Sequence, residues 1–260
     1  MRNTTSFQPS PALNEKKRYA LLDELRGFMV LCMVVYHWLL SLYDIFSLET
    51  AGALFDFFTP VEPFFAGGFV LLSGLMCGFS RSNIRRGGLL CLIALGVTGV
   101  TVLAAPYVGQ IQIYFGILHL LGVSMLFCGL LDPLLRRVNR WVGLLLNLLL
   151  FFLFYGLFDP GADLIGINTL LPAAWKQNPW LFPIGITTPD FFSADYFPIL
   201  PWIFMFLCGY YLYRFHLVER HEAIFYPRRI PPLAFLGRHA LIVYLVHQPL
   251  IYLVCLPFLL

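Results

Sequence analysis

Charge, proline and polar clusters divide the chain into seven continuous apolar runs: approximately Leu21–Tyr43, Phe64–Phe79, Gly88–Val108, Ile113–Leu131, Trp141–Phe158, Tyr196–Tyr213 and Leu233–Pro257. A helix needs roughly 20 mainly apolar residues to cross about 30 Å of hydrocarbon, and these runs supply them. They lack the period-two alternation of a lipid-facing strand, which excludes a β-barrel. Only 12% of the 260 residues are charged, about half the share of a soluble domain. Soluble enzymes, disordered chains and nucleic-acid binders are excluded together. The expected fold is all-α, a polytopic integral membrane helical bundle of about seven transmembrane helices. Residues 1–20 form a polar segment and 21–260 a single transmembrane domain. The second run is short and rich in small residues, which suits a tilted helix packed closely on its neighbours. All six cysteines lie inside apolar runs without a CxxC pair, so neither a disulfide nor a bound metal is expected.

Orientation follows from the loops, because Lys and Arg are retained on the cytoplasmic side. Sixteen of the seventeen basic residues fall on one side, Lys176 alone on the other, where eight acids collect, among them Asp44, Glu62 and Asp195. The N-terminus is therefore expected in the cytoplasm and the C-terminus outside. The polar start, with no small-residue cleavage site after the first run, reads as an uncleaved anchor. Two outer segments, 44–63 and the proline- and aromatic-rich 159–195, are read as non-helical caps over an outward-facing cavity. No internal repeat and no interrupted pair of spans, the mark of inverted-repeat transporters, is evident.

Ionisable groups inside spans are costly and are either functional or held by a partner. Arg26 and His37 are eleven residues apart on one run; eleven steps of 100° return to within about 20° at a rise of roughly 16 Å. They share a helix face, with Arg26 near the cytoplasmic boundary and His37 towards the outer half. The competing reading is an Arg26 that snorkels to headgroups and a packing His37. His119, flanked by Gly116 and Gly122, is either functional or an interhelical hydrogen-bonding residue. On the last run His239 and His247 bracket Tyr244, too many polar groups for a lipid-facing helix. His216 and His221 read as solvated loop residues, and no HExxH-type metal pair is present.

Five segments taken in order carry a resemblance: Arg18 to Gly27 running on to His37, Phe69-Val70-Leu71-Leu72-Ser73-Gly74, Gly116 to Gly122, Asp195-Tyr196-Phe197-Pro198-Ile199-Leu200-Pro201-Trp202, and Gly237 to Pro249. Together the chain resembles bacterial members of the heparan-α-glucosaminide N-acetyltransferase catalytic family, within a wider transmembrane group that includes acyltransferase-3 proteins, whose Arg, ten residues, His pattern matches Arg26 and His37. The resemblance implies an enzyme of the bacterial plasma membrane that takes acetyl groups from cytoplasmic acetyl-CoA and delivers them to an extracytoplasmic sugar amine or hydroxyl. It also implies that His37 or a group near it is the catalytic base.

Acyl transfer needs a base in reach of the nucleophile and donors aimed at the developing oxyanion. His37 is assigned as that base, with Asp195 and His119 as further catalytic candidates. Arg26, Arg81 and Arg238 are assigned to the phosphates of the acyl donor, since the guanidinium fork suits them. Asp44, Tyr244, His247 and Trp202 are candidates for holding the acceptor. The expected partners are acetyl-CoA, a sugar or glycan acceptor and membrane lipid, with a homodimer as the allowed assembly. The rival reading is a membrane transporter of a small polar or glycan-related solute.

Overall fold

Helix is the dominant element of residues 18–46, 48–158 and 171–255, the residues that the computed structural model describes. In chain order the helices are α1 (Ala20–Phe46), α2 (Glu49–Phe58), α3 (Glu62–Gly78), α4 (Asn83–Val108), α5 (Ile117–Leu135), α6 (Arg140–Phe158), α7 (Ile199–Tyr213), α8 (Leu217–Arg220), α9 (Glu222–Phe225), α10 (Pro231–Arg238) and α11 (Ala240–Cys255). Among the described residues five stretches are long and apolar enough to cross a membrane: Ala20–Tyr43, Glu49–Gly78, Asn83–Val108, Ile117–Leu135 and Arg140–Leu157. The molecule is an all-helical polytopic membrane bundle. Its outer helices turn their apolar side chains outward, as Leu92, Leu103, Leu149 and Phe152 do on α4 and α6.

The span count falls short of seven for two physical reasons. α7 has 15 residues, about 22 Å of helix, and is the central helix, with Trp202, Phe206, Tyr210 and Tyr211 all buried. The last apolar run is not one helix, because α10 and α11 meet at a bend of 88° around His239. This break corrects the reading of Leu233–Pro257 as one continuous span.

Segment 44–63 is not a non-helical cap. α2, a 3-10 turn at Thr59–Val61 and α3 form one 30-residue span, Glu49–Gly78. Pro60 and Pro63 suggest a loop, yet both sit in first-turn positions, where the missing N–H has no helical partner to lose. Of the second expected cap, residues 159–170 lie outside the described residues. The remainder, 171–195, carries only short 3-10 turns at Trp175–Gln177 and Phe182–Ile184.

Three helix crossings rest on glycine: Gly27 with Gly237 (α1 and α10), Gly74 beside the Phe206 carbonyl and Gly209 beside that of Leu71 (α3 and α7), and Gly87 with Gly122 (α4 and α5). Between lipid-solvated helices association comes from close packing, which small residues permit. The α1–α10 crossing is clamped a second time by Glu24, whose Oε1 accepts the N–H groups of Arg229 at 2.7 Å and Ile230 at 2.8 Å at the start of α10. A methyl group on Gly237 would overlap the Asp23 carbonyl oxygen. Gly237→Ala is therefore expected to cost about 1–3 kcal/mol, as overpacked sites do. Gly88→Ala, where an added Cβ meets nothing within 4 Å, should be neutral or slightly stabilising. Thermal unfolding of the two variants in detergent checks both.

Candidate active site

The α1–α10 clamp and the α3–α7 crossing enclose a cavity of about 540 Å³ that runs along α1. Its lining changes character with depth. At one end are Arg26 on α1, Arg86 in the first turns of α4 and Arg238 at the end of α10; at the other are His37, Glu62, Asp195 and Tyr244. The wall between is mainly apolar, with Met29, Met33, Phe69 and Leu121 among its residues. Trp202 lines it from α7 and packs against Phe151 and Phe197.

The proton on His37 is placed by its backbone. Nδ1 lies 2.9 Å from the Met33 carbonyl, an oxygen that only accepts, so neutral His37 carries its hydrogen on Nδ1 and keeps the Nε2 lone pair. His247 is arranged alike, its Nδ1 2.6 Å from the Tyr244 carbonyl. The His247 ring sits edge-on to His37 with centroids 5.1 Å apart. Its Nε2 is buried with no hydrogen-bond partner among the described residues.

Asp195 is placed by a short parallel zipper between two otherwise irregular segments. Ala194 N–H donates to the Gln112 carbonyl at 2.8 Å, and Phe197 N–H to that of Phe115 at 2.9 Å. The Asp195 carboxylate then accepts the Ile117 N–H at 3.0 Å, at the first residue of α5, and the Tyr244 hydroxyl from α11. A carboxylate at a helix N-terminus is held by both the N–H and the helix dipole. Gly116 makes the room, since a Cβ there would strike Asp195 Oδ2. Asp195 thus ties α5, α7 and α11 together at the His37 end.

Two candidate residues are placed elsewhere. His119 accepts the Gly116 N–H on Nδ1 at 3.2 Å, so Nε2 holds the proton and donates to Thr98 Oγ1 at 3.2 Å; Thr98 in turn donates to the Ile113 carbonyl at 2.7 Å. One ring nitrogen caps α5 and the other joins it to α4, and His119 is not in the cavity wall. Arg81 lines a different cavity, with Arg136 and Arg140. The side chain of Asp44 lies outside the described residues.

Glu62 and Arg86 were counted as loop charges in the sequence, yet both line the cavity. Glu62 was hidden by the prolines around it. Arg86 had a readable signal: Ser82 caps α4 through the Arg85 N–H at 3.4 Å, so Arg86 lies inside the helix. A cation in a first turn opposes the helix dipole, which asks for a reason.

A family model described as heparan-alpha-glucosaminide N-acetyltransferase, catalytic, matches residues 18–249. No curated protein and no solved structure matches the chain. The matched residues run from the start of α1 into α11 and include every cavity residue named above, and the chain belongs to the heparan-alpha-glucosaminide N-acetyltransferase catalytic family, which implies a membrane acetyltransferase.

Proposed function

We propose that this protein takes acetyl groups from acetyl-CoA at the arginine end of the cavity and transfers them to a sugar amine or hydroxyl at the other end, with His37 as general base. Family membership supports the donor and the acetyl group. The observation that carries the rest is one cavity with three guanidinium groups at one end and an imidazole with a retained Nε2 lone pair at the other. The guanidinium groups suit the donor's phosphates, and the apolar wall between suits an uncharged pantetheine arm.

The acceptor's nitrogen or oxygen bonds to the thioester carbon while its proton passes to His37 Nε2. The carbon–sulfur bond breaks, and the proton is then available to the departing thiolate. A positioned base contributes about 10²–10⁴-fold to such a step. Asp195, Tyr244 and His247 hold the acceptor end in shape, and Glu62 offers a carboxylate to an amine or hydroxyl there.

Incubating the purified protein with labelled acetyl-CoA tests the reading. Release of free CoA that depends on an added amino sugar is expected. Arg26→Lys should weaken acetyl-CoA binding while leaving the fold intact, because an ammonium keeps the charge and loses the fork. Direct CoA binding measures this, and unchanged affinity with lost expression would return Arg26 to a packing role.

The bias of basic residues assigns the arginine end to the cytoplasm. A single cysteine at position 139 on a cysteine-free background should label from the cytoplasmic side only. Ready labelling from outside reverses the arrangement.

One observation favours a transporter instead. The break between α10 and α11 is of the kind that builds ion and solute sites in transporters. Solute exchange across proteoliposomes without CoA release would select that reading.

A further inference from the structure

We propose that a second cavity, at the arginine-rich end of the bundle and separate from the first, binds a phosphate-bearing ligand through Arg81, Arg136 and Arg140. The cavity measures about 610 Å³ and shares no lining residue with the acyl-transfer cavity. It lies where the C-terminal ends of α3, α5 and α7 meet the N-terminal ends of α4 and α6.

Charge is the first argument. Arg81, Arg136, Arg140 and Arg214 line the cavity against a single carboxylate, Asp132, an excess of three positive charges at the boundary of a low-dielectric slab. Four of the five groups already have partners, Arg140 through the Arg214 carbonyl at 3.4 Å and the Phe215 ring. Arg214 closes the α5–α6 turn, donating to the carbonyls of Leu135 at 3.1 Å, Val138 at 2.7 Å and Arg136 at 3.0 Å. Asp132 accepts Arg136 Nε at 2.8 Å and the Tyr210 hydroxyl at 2.9 Å. The paired charge of Arg136 offsets that of Asp132, which leaves the excess positive charge on the other arginines. The exposed guanidinium of Arg81 and the remaining nitrogens of Arg136 and Arg140 keep donors to give.

Unmet polar groups are the second argument. Ser80 Oγ and Asn83 Oδ1 both line this cavity, and both are buried without a hydrogen-bond partner among the described residues. Leaving such groups unpaired is costly. A hydroxyl donor beside several guanidinium groups and the N-terminal end of a 26-residue helix is the donor set that phosphate oxygens take up. Asn83 Oδ1 accepts, which fits a ligand that also carries a hydroxyl. The volume exceeds that of phosphate alone and has room for an attached glycerol or ribose. A lipid headgroup and a soluble phosphate share this chemistry, and the cavity's place at the end of the spans gives access to both.

The test uses the full chain in an uncharged detergent, with inorganic pyrophosphate and phosphatidylglycerol as separate probes and the thermal midpoint as the readout, since a ligand of the folded state raises it with concentration. At least one probe is expected to give a saturating rise. Arg81→Gln and Arg140→Gln should each weaken that response about tenfold or more, the loss expected for a charge-assisted hydrogen bond. Arg238→Gln reports on probe held in the other cavity, and a response that it abolishes while Arg81→Gln and Arg140→Gln retain it overturns the proposal. Each shift is read against the variant's own ligand-free midpoint, so a less stable Arg140→Gln protein remains informative, and exposed Arg81 supplies a variant with less to lose from the fold. A response to pyrophosphate identifies a soluble ligand; a response to phosphatidylglycerol alone identifies a headgroup. The proposal is overturned if neither probe shifts the midpoint, or if the shift survives both substitutions together. It is also overturned if acetyl-CoA competes with the probes and loses its own binding with Arg140→Gln, which would make the cavity part of the donor site.

Discussion

His37→Ala is expected to bind acetyl-CoA as the unsubstituted protein does and to lose acetyl transfer by about 10²-fold or more. Base removal acts on the transition state and leaves the donor's ground state alone. His37 is singled out by its tautomer: the Met33 carbonyl accepts the Nδ1–H bond, and among the described residues no backbone group claims the Nε2 lone pair. Protonating that nitrogen removes the base, so the rate should fall on acidification. His119→Ala serves as the comparison. It empties a bridge between Gly116 and Thr98, so it should lower the thermal midpoint more than the rate of transfer by the folded fraction. His247→Ala removes the edge-on ring against His37 and should produce an intermediate loss. Near-full activity in His37→Ala, with activity abolished in folded His119→Ala, would place the base on the wrong helix.

Much of this arrangement was legible because few polar residues can enter a bilayer without a purpose. The eleven-residue spacing alone puts Arg26 and His37 on one face of α1, and both line the cavity. The neighbours of Arg26 were less transparent. Asp23-Glu24-Leu25-Arg26-Gly27 reads as a charged helix start. Its meaning appears only when α10 folds back, so that Glu24 accepts two of its N–H groups and Gly27 meets Gly237. Hydropathy cannot see that return, since α10 and α11 form one apolar run and the bend at His239 leaves no proline or glycine at the break itself.

Residues 49–61 fail for the opposite reason. Pro60, Glu62 and Pro63 mark a loop in any local reading, but first-turn positions tolerate proline, and α2 continues through them into α3. The same misreading hid Glu62. His119 and Arg81 show a different limit: both are polar residues at the right depth, and only their partners distinguish a bridging histidine and a second basic cavity from the acyl-transfer site. Residue type and depth are sequence properties, whereas partner choice belongs to the packing of helices far apart in the chain.

Asp195 offers the sharpest test of that packing. Asp195→Ala removes one acceptor from two donors, the Ile117 N–H and the Tyr244 hydroxyl. Each part-buried donor left without a partner costs about 1–3 kcal/mol, so the variant should lose roughly 2–3 kcal/mol of stability after partial rescue by solvent in the cavity. Transfer should fall with it, because Tyr244 and His247 share one turn of α11 and His247 abuts His37. Asp195→Asn separates the two effects. Its carbonyl oxygen still accepts from one donor or both, so the fold should survive with a small loss. The missing charge weakens the bonds by about the difference between charged and neutral acceptors, and transfer should drop roughly tenfold. Thermal unfolding and CoA release measured on the same preparations decide the matter. If Asp195→Ala folds and transfers acetyl normally, the α5–α7–α11 junction does not support the His37 end of the cavity, and Asp195 becomes a cap for α5 alone.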